Sequence, residues 1–316
     1  MRGLQRFPHG SGWRRLAWTL FWLIFALTQS GLHSATTPAF VLAQTANTSK
    51  LLFAAIGDSG TGNETQFAVG RAMESAHAVN PFELVLMLGD NFYGGVDFVR
   101  KFEKPYEKLL TSGVQFYASL GNHDGGKSDQ ERNYPKFNMG GQRYYTFTRG
   151  TLDGQPLAQF FALDSAMMDA SQLAWVAQEL GRSRARWKIA FFHHPLYSSG
   201  KTHGPDLKLR AQLEPLLIKH GVQLVLNGHE HFYERLKPHQ GVQYFISGAA
   251  GKIRRNNLKR DDPDFVFGND QAQHFMLFEV TPTALHYRAV SDAGTLLDSG
   301  ALNWTAVDRA SVSGSK

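Results

Sequence analysis

The sequence predicts an α/β fold of three or four layers, built on a mostly mixed sheet or on two facing sheets. Up to about residue 226, short apolar runs typical of buried strands alternate with segments of helical periodicity. After that residue, strand patterns dominate. A chain of 316 residues with 42% hydrophobic content suffices for one large domain or two small ones, and the alternation of elements favours sheets covered by helices.

Three buried strands and two helices are predicted in the first part of the chain. Each strand is a continuous apolar run, as expected for strands covered on both faces. Apolar residues such as Phe67, Val69 and Met73 indicate the first helix, and Pro105 favours an interruption of the second. In chain order these elements are strand 51–56, helix 65–78, strand 82–88, helix 96–110 and strand 114–120.

The middle of the chain begins with a polar, Gly-rich stretch at 125–141, which predicts a long surface loop. Asp169 with Gln172 resembles a capping box that starts a helix. Gly181 is expected to end that helix, and Gly221 to stop a later one. The elements predicted after the loop are strands 144–148 and 157–163, the helix after Asp169, strand 188–192, a helix at 209–217 that is kinked or restarted at Pro215, and strands 222–226, 242–247, 275–280 and 284–290.

The first 43 residues predict an export signal. They contain four arginines and no acidic residue, and the apolar stretch at 16–27 is too short to span a bilayer comfortably. Small residues downstream allow cleavage after Ala35 or after Ala43. We therefore expect a secreted or periplasmic protein with a signal peptide at 1–43; an uncleaved anchor is the alternative for this segment.

The rest of the chain is expected to form a single domain at 44–310 with a flexible tail at 311–316. Without the four N-terminal arginines, 29 basic residues face 27 acidic ones, and this net charge of +2 gives nucleic-acid binding no support. The chain has no cysteine, so nitrogen and oxygen would hold any bound metal. One basic cluster is a candidate for attracting an anion: Lys252, Arg254, Arg255, Lys259 and Arg260.

Five of the predicted strands end on residues able to bind a metal. Open α/β sheets place ligand sites outside the carboxyl ends of their strands, so these groups are expected to meet if the strand ends lie side by side. They comprise two carboxylates, an amide, three imidazoles and a phenol. The candidate metal ligands are Asp58, Asp90, Tyr93, Asn122, His193, His229 and His231.

Seven ligands are too many for one tetrahedral ion and suit two ions of higher coordination number. A carboxylate can bridge two ions that lie about 3.5–4 Å apart, and Asp90 is the candidate bridge. Two cations would lower the pKa of a shared water molecule and neutralise phosphate oxygens. His123 follows Asn122 and is placed to donate a proton or to contact an anion.

With these motifs the sequence resembles the metallophosphoesterase superfamily and, within it, the purple acid phosphatases. Most metallophosphoesterases have a histidine two residues after the first aspartate. Here Gly60 stands at that position and Tyr93 supplies a ligand instead, as in the purple acid phosphatase branch. The resemblance covers about residues 50–290, and its motifs are Gly57-Asp58-Ser59-Gly60, Gly89-Asp90-Asn91-Phe92-Tyr93, Gly121-Asn122-His123-Asp124, Ala190-Phe191-Phe192-His193 and Gly228-His229-Glu230-His231.

The resemblance implies a metallophosphoesterase-type four-layer α/β/β/α sandwich, in which two facing mixed sheets are flanked by helices. It also implies two bound metal ions, ferric iron and a divalent ion that is iron, zinc or manganese. Ferric iron would be held by Asp58, Asp90, Tyr93 and His231, and the divalent ion by Asp90, Asn122, His193 and His229.

Together with the predicted export signal, the resemblance favours an exported acid phosphatase that hydrolyses small phosphate monoesters. A metal-bound hydroxide would attack phosphorus, while His123 and His203 would bind phosphate or protonate the leaving group. The animal enzymes have cysteines near the loop that follows His203. This chain has none, so that loop is expected to be closed differently or not at all.

We expect a monomer with no stable nucleic-acid partner and no membrane association once the signal is removed. Two alternatives stay open for the function. One is a phosphodiesterase or nucleotidase that uses the same site. The other is a metal- or phosphate-binding protein that does not catalyse a reaction.

Overall fold

A computed structural model describes residues 49–304, which are built on two mixed β-sheets. The predicted signal peptide at 1–43 and the tail at 311–316 lie outside the described residues. The strands of the described part are β1 (Leu51–Ile56), β2 (Leu84–Leu88), β3 (Gln115–Ser119), β4 (Tyr145–Leu152), β5 (Gln155–Ala162), β6 (Trp187–Phe192), β7 (Leu224–Asn227), β8 (Tyr233–Leu236), β9 (Gln243–Ser247), β10 (Phe265–Asn269), β11 (His274–Val280), β12 (Ala284–Ser291) and β13 (Leu296–Asn303).

The helices of the described part are short to medium in length. Three of them exceed ten residues, and the rest are single turns or little more. Between residues 49 and 304, no helix combines the length and the apolar character needed to cross a membrane. The α-helices are α1 (Glu64–Val79), α2 (Glu107–Thr111), α3 (Ser128–Arg132), α4 (Ala170–Arg182) and α5 (Leu207–Lys219), with a π-helical turn at Val99–Glu103 and 3₁₀ turns at Gly125–Lys127, Pro135–Phe137 and Ser165–Met167.

Both sheets combine a parallel centre with antiparallel edges. The first has the order β13-β12-β11-β1-β2-β3, in which β1, β2 and β3 are parallel. The second has the order β10-β8-β9-β7-β6-β5-β4, in which β5, β6, β7 and β9 are parallel. The parallel strands are apolar along nearly their whole length because both of their faces are covered.

The two sheets pack face to face, and helices cover the outer face of each. Between the sheets, the rings of Phe53 and Phe160 meet edge to face at 5.2 Å in a core that both sheets share. A second core places Val69 of α1 against the outer face of the first sheet, and a third places Val176 of α4 and Leu213 of α5 against the second sheet. The predicted α/β/β/α sandwich is confirmed.

Most predicted elements lie within one to three residues of the observed ones, but the surface loop predicted at 125–141 is wrong. This stretch forms short helical turns, and Glu131, Phe137 and Met139 are buried beneath them. The glycines and polar residues of this stretch are typical of a loop. The spacing of the three buried side chains matches neither the period of a strand nor that of a helix, so the sequence does not indicate their burial.

The structure also bears on two predictions about the helices. Gly181 does not end α4, which continues to Arg182; instead Gly181 faces His220, and a Cβ at this position would lie 3.5 Å from that ring. The helix α5 runs through Pro215 without restarting, although proline removes one backbone donor. Strands β8, β10 and β13 are absent from the prediction because β8 has only four residues and the other two are partly exposed edge strands.

Candidate metal centre

The loops that follow β1, β2, β6 and β7 meet where the carboxyl ends of the two sheets come together. Backbone hydrogen bonds join them in pairs: Asp58 N donates to Gly89 O at 3.1 Å, and Gly228 N donates to His193 O at 3.1 Å. A side-chain contact links the pairs across the two sheets, with His193 Nδ1 3.0 Å from Leu88 O. These contacts hold loops from distant parts of the chain within a few ångströms of each other.

Three of the predicted ligands form a first cluster. The Tyr93 hydroxyl donates to Asp58 Oδ1 at 2.7 Å and lies 3.1 Å from His231 Nε2. The same His231 nitrogen lies 3.3 Å from Asp58 Oδ1. A phenol, a carboxylate and an imidazole therefore direct their donor atoms at one point.

A second cluster contains the other two imidazoles and the amide. Asn122 Oδ1 lies 3.0 Å from His193 Nε2 and 3.1 Å from His229 Nδ1, and these two nitrogens are 3.1 Å apart. Asp90 Oδ1 lies 3.4 Å from His193 Nε2, so the Asp90 carboxylate borders this cluster.

Asp90 also reaches the first cluster. Its charge and a hydrogen bond act on the Tyr93 hydroxyl, and ligand atoms of Asp58, Asp90 and His193 all lie within 4.8 Å of one another. The structure thus brings together all seven predicted ligands, with Asp90 between the two groups of three. Asp58, Asp90 and His193 are buried, whereas Asn122 is exposed, so the site opens to solvent on the Asn122 side.

Three of the seven candidate ligands have a left-handed backbone conformation, which residues other than glycine rarely adopt. The φ angles are 55° at Asp58, 52° at Asp90 and 70° at His229. Left-handed conformations at residues other than glycine are uncommon, and they persist where surrounding contacts impose them. Here they turn each side chain from the end of a buried strand into the shared space.

Glycines beside the ligands permit this close approach. A Cβ at Gly121 would lie 2.2 Å from Asp90 Oδ1, and a Cβ at Gly89 would lie 2.7 Å from His193 Nδ1. Real Cβ atoms do not approach other atoms this closely, so any larger residue would displace a candidate ligand. Gly89 and Gly121 are therefore part of the site's geometry.

The electrostatics of the site favour bound cations. Burial alone would raise the pKa of the Asp58 carboxyl, but the charges of His193 and His231 outweigh it and lower this pKa to about 2. Burial and the neighbouring imidazoles lower the pKa of His229 to about 2. Asp58 is therefore ionised and His229 neutral at neutral pH, which are the forms that bind metals.

The pKa of Tyr93, in contrast, does not favour the form that binds a metal. Burial and the negative charges of Asp58 and Asp90 raise the pKa of its hydroxyl far above the usual range. Without a cation the phenol therefore keeps its proton, which it donates to Asp58. A bound cation would be needed to hold the phenolate form.

The two histidines predicted to act on the substrate lie at the exposed rim. The His123 ring packs against Tyr93, with centroids 4.9 Å apart, and its Nε2 is 3.9 Å from Asp90 Oδ2. The ring of His203 packs against His229 at 4.4 Å. Burial and the charge of Arg254 lower the pKa of His203. The structure thus places both histidines beside the candidate ligands.

Sequence reasoning missed Glu230, which stands between two candidate ligands and is fully buried. Its Oε1 accepts a hydrogen bond from Gly204 N at 2.7 Å, and its Oε2 accepts one from Asn257 Nδ2 at 3.1 Å. Glu230 therefore closes the loop of His203 without a disulfide. Its sole signal in the sequence is its position inside the Gly-His-x-His motif.

Asp124 and His194 were also missed as members of the site. The buried Asp124 carboxylate accepts hydrogen bonds from the backbone of Asn91 and Phe92 at 3.1 Å and of Gly121 at 2.8 Å, and so joins the second and third loops. His194 packs against His229 with ring centroids 4.5 Å apart, and it shares a potential metal-binding group with His193 and His229.

The chain matches a known family of phosphoesterases. The chain belongs to the calcineurin-like phosphoesterase family, whose model matches residues 51–233. All seven candidate ligands and both rim histidines lie within the matched residues.

Within that family, the chain is similar to purple and tartrate-resistant acid phosphatases. It is 28% identical to tartrate-resistant acid phosphatase type 5 of Oryctolagus cuniculus, an alignment that covers 79% of this chain and 90% of that protein. It is 25% identical to purple acid phosphatase 7 of Arabidopsis thaliana, with coverage of 80% and 86%.

Solved structures show the same fold at lower identity. The purple acid phosphatase PPD1 from yellow lupin (Lupinus luteus) seeds superposes with a TM-score of 0.62 at 16% identity, covering 81% of this chain and 54% of that one. GAP50, the anchor in the inner membrane complex of Plasmodium, superposes with a TM-score of 0.71 at 21% identity, covering 81% and 89%. At these identities, the likeness concerns the fold alone.

Proposed function

We propose that this protein is an exported acid phosphatase that binds two metal ions and hydrolyses small phosphate monoesters. The observation that carries the proposal is the meeting of seven donor groups in two clusters, with the Asp90 carboxylate between them. The similarity to acid phosphatases over most of the chain supports the same reaction class.

The donor set fits two ions of different kinds. Carboxylate and phenolate oxygens suit a hard ferric ion, whereas neutral imidazole and amide groups suit a divalent iron, zinc or manganese ion. When bound, the ions would neutralise phosphate oxygens and lower the pKa of a water molecule at the site. We assign Asp58, Asp90, Tyr93 and His231 to the ferric ion and Asp90, Asn122, His193 and His229 to the divalent ion.

The rim histidines would act on the substrate itself. His123 is exposed on the side where the site opens, and its backbone N–H donates to Asp90 Oδ1 at 2.9 Å. This bond fixes the backbone next to Asn122. The exposed imidazole would contact a phosphate oxygen or protonate the leaving oxygen. His203 reaches the same region from the opposite loop through its contact with His229.

The proposal is tested with purified protein loaded with iron and a divalent ion. Assays of a chromogenic phosphate monoester and a matched diester should show faster turnover of the monoester. His123→Ala should lower kcat by about a hundredfold or more, as expected for the loss of a general acid. Absence of turnover with two metals bound would reject catalysis and favour a binding protein, and faster turnover of the diester would favour a phosphodiesterase or nucleotidase.

Export is proposed from residues 1–43 alone. Expression of the full chain in a bacterial host, followed by fractionation and N-terminal sequencing, tests this part separately. Mature protein outside the cytoplasm that begins after Ala35 or Ala43 is expected. A full-length protein in the membrane fraction would instead support an uncleaved anchor.

A further inference from the structure

The segment that follows β9 lies along the rim of the metal centre. Ala250 N donates to Gly57 O at 3.1 Å, and Lys252 N donates to Asp58 O at 3.2 Å, so the segment is bound to the first ligand loop. A Cβ at Gly251 would lie 2.2 Å from Ser59 O, and this closeness leaves the backbone little freedom. Whatever side chains this segment carries are held at a fixed distance from the candidate ligands.

Lys252 is the first of two partly buried basic residues in the segment. Its Nζ lies 3.8 Å from the centroid of the Tyr93 ring, whose hydroxyl contacts Asp58 and His231. A lysine ammonium over an aromatic face gains a modest cation–π attraction, which fixes its position but does not neutralise its charge. The side chain is partly buried and therefore not freely solvated.

Arg254 is the second, and its backbone is bound to the loop of His231. Its backbone N–H donates to His231 O at 2.9 Å. Its guanidinium lies close enough to His203 and Glu230 for its charge to act on both groups. Burial and this charge together lower the pKa of His203, whereas burial raises the pKa of Glu230 and the Arg254 charge opposes that rise. One buried guanidinium nitrogen, Nη1, has no hydrogen-bond partner in the described part of the chain.

Neither cation has a carboxylate oxygen within 4.0 Å among residues 49–304, in contrast to nearby Arg260, which pairs with Asp270. The Glu230 carboxylate already accepts hydrogen bonds from Gly204 N and Asn257 Nδ2. Two partly buried cations without a close counter-ion are unfavourable unless an anion binds between or beside them. The anions expected here are those of the substrate.

We propose that Lys252 and Arg254 form a second anion subsite, which selects phosphate esters whose leaving group carries a further carboxylate or phosphate. The inference rests on the proposed function, since it assigns a substrate class to the same site. The reacting phosphate occupies the centre of the seven donors, and the second anion contacts the two cations at its edge. One charge-assisted hydrogen bond to the second anion is expected to favour such a substrate about tenfold over an ester that lacks this anion.

Binding provides a test that does not depend on turnover. Calorimetry of the metal-loaded protein compares methylphosphonate, which has one anionic group, with phosphonoacetate, which adds a carboxylate. Wild type is expected to bind phosphonoacetate about tenfold more tightly. Lys252→Met and Arg254→Met should each reduce this ratio severalfold, and Lys252→Arg should restore most of it.

Arg255→Met is the matched control, because it removes an equal charge from the same segment. Arg255 is exposed, and its guanidinium donates to Gln271 O. The ratio should therefore stay at the wild-type value in this variant. An equal decrease in all three variants would mean that net charge, not a subsite, determines the preference, and would overturn the proposal.

Activity then separates the two sources of the second anion. Ratios of kcat/KM are compared for phosphoglycolate against 2-hydroxyethyl phosphate, and for a nucleoside diphosphate against its monophosphate, in wild type and each variant. A selective decrease for the first member of either pair identifies that leaving group. Equal losses for both members would place Lys252 and Arg254 on the reacting phosphate and overturn the subsite.

Failure of the proposed function gives a different result from failure of this inference. In one outcome, wild type with two metals bound neither binds methylphosphonate nor hydrolyses 2-hydroxyethyl phosphate. This result would reject both the proposed function and the subsite. In the other outcome, wild type does both but shows no preference for a second anion. This result would support the proposed function and reject the subsite. Thermal unfolding of each variant shows whether it is folded.

Discussion

Gly60 and Asn91 approach each other so closely that a Cβ at residue 60 would lie 1.7 Å from the Asn91 carbonyl oxygen. Two residues further on, Tyr93 N donates to Gly60 O at 2.9 Å. The loop that carries Tyr93 therefore rests directly on the loop that carries Asp58. The histidine that most metallophosphoesterases have at this position cannot fit here, and the phenol of Tyr93 occupies the space beside Asp58 instead.

Gly60→Ala is expected to separate these two loops. The extra methyl group has no space to enter, so the backbone of one loop must move and the Tyr93 hydroxyl must leave Asp58. An overpacking cost on the order of 2 kcal/mol would lower Tm by roughly 4–8 °C in a domain of this size. Scanning calorimetry measures the shift. Gly95→Ala is the control, since a Cβ there meets nothing within 4 Å; equal Tm values for the two variants would contradict the prediction.

Tyr93→Phe is expected to remove one ligand of the proposed ferric ion and the visible absorption that a phenolate on ferric iron produces. The change deletes the hydroxyl that lies 2.7 Å from Asp58 Oδ1 and leaves the ring in place against His123. Iron content and the visible spectrum of the loaded protein are the measurements. Tyr144→Phe, on a ring that packs against Trp175, should keep the colour. A band of unchanged intensity in Tyr93→Phe would exclude Tyr93 as the ligand.

The candidate ligands could be predicted from the sequence because each follows a buried strand. Asp58 follows the apolar run of β1, and His193 follows that of β6. The local pattern therefore predicts both the strand and the polar residue after it. Parallel strands then place their carboxyl ends at one edge of a sheet. The meeting of the two sheets, however, depends on contacts such as His193 Nδ1 to Leu88 O, which no local pattern encodes.

The residues that sequence reasoning missed act through contacts that are distant in the chain. Glu230 looks like a solvent-facing residue between two histidines, and only the fold reveals that Asn257 and Gly204 surround its carboxylate. The sequence likewise does not indicate that Asp124 is buried. Its carboxylate is recognised as part of the site only because the backbone N–H groups of Asn91 and Phe92 donate to it in the structure. Burial of a carboxylate follows from the tertiary structure, and a single sequence carries no pattern for it.

Glu230 is expected to act on catalysis by holding His203. In Glu230→Gln an amide replaces one of two accepting oxygens, and either Gly204 N or Asn257 Nδ2 loses its acceptor. We expect kcat/KM to fall about tenfold, since the removal of a charged acceptor from a buried donor costs about 1.5–3 kcal/mol. Steady-state kinetics on the monoester measures the decrease.

A double-mutant cycle with His203→Ala identifies the route of this effect. If Glu230 acts through the His203 loop, then Glu230→Gln should cost little in a chain that already lacks His203. Fully additive losses would contradict this route. They would show instead that Glu230 acts on the neighbouring His229 and His231.

His274 is expected to make the stability of the metal-free protein sensitive to acid. The imidazole is fully buried, with Nε2 3.0 Å from Ser247 Oγ, and burial lowers its pKa from 6.5 to about 4. Between these values the unfolded chain binds a proton at His274 and the folded chain does not, so acid favours unfolding. The contribution of His274 to stability is complete above pH 6.5 and is lost as the pH falls towards 4, by about 3 kcal/mol as an order of magnitude.

Urea unfolding of metal-free wild type and of His274→Gln, at pH 7, 6, 5 and 4.5, isolates this contribution. Other buried imidazoles titrate in the same range, since burial also lowers the pKa of His194 to about 4, and both proteins share their effect. The difference in unfolding free energy between wild type and variant should therefore change with pH because of residue 274 alone. The wild type should lose stability more steeply below pH 6.5, since glutamine binds no proton in either state. Parallel curves for the two proteins would mean that His274 is protonated equally in the folded and unfolded chains.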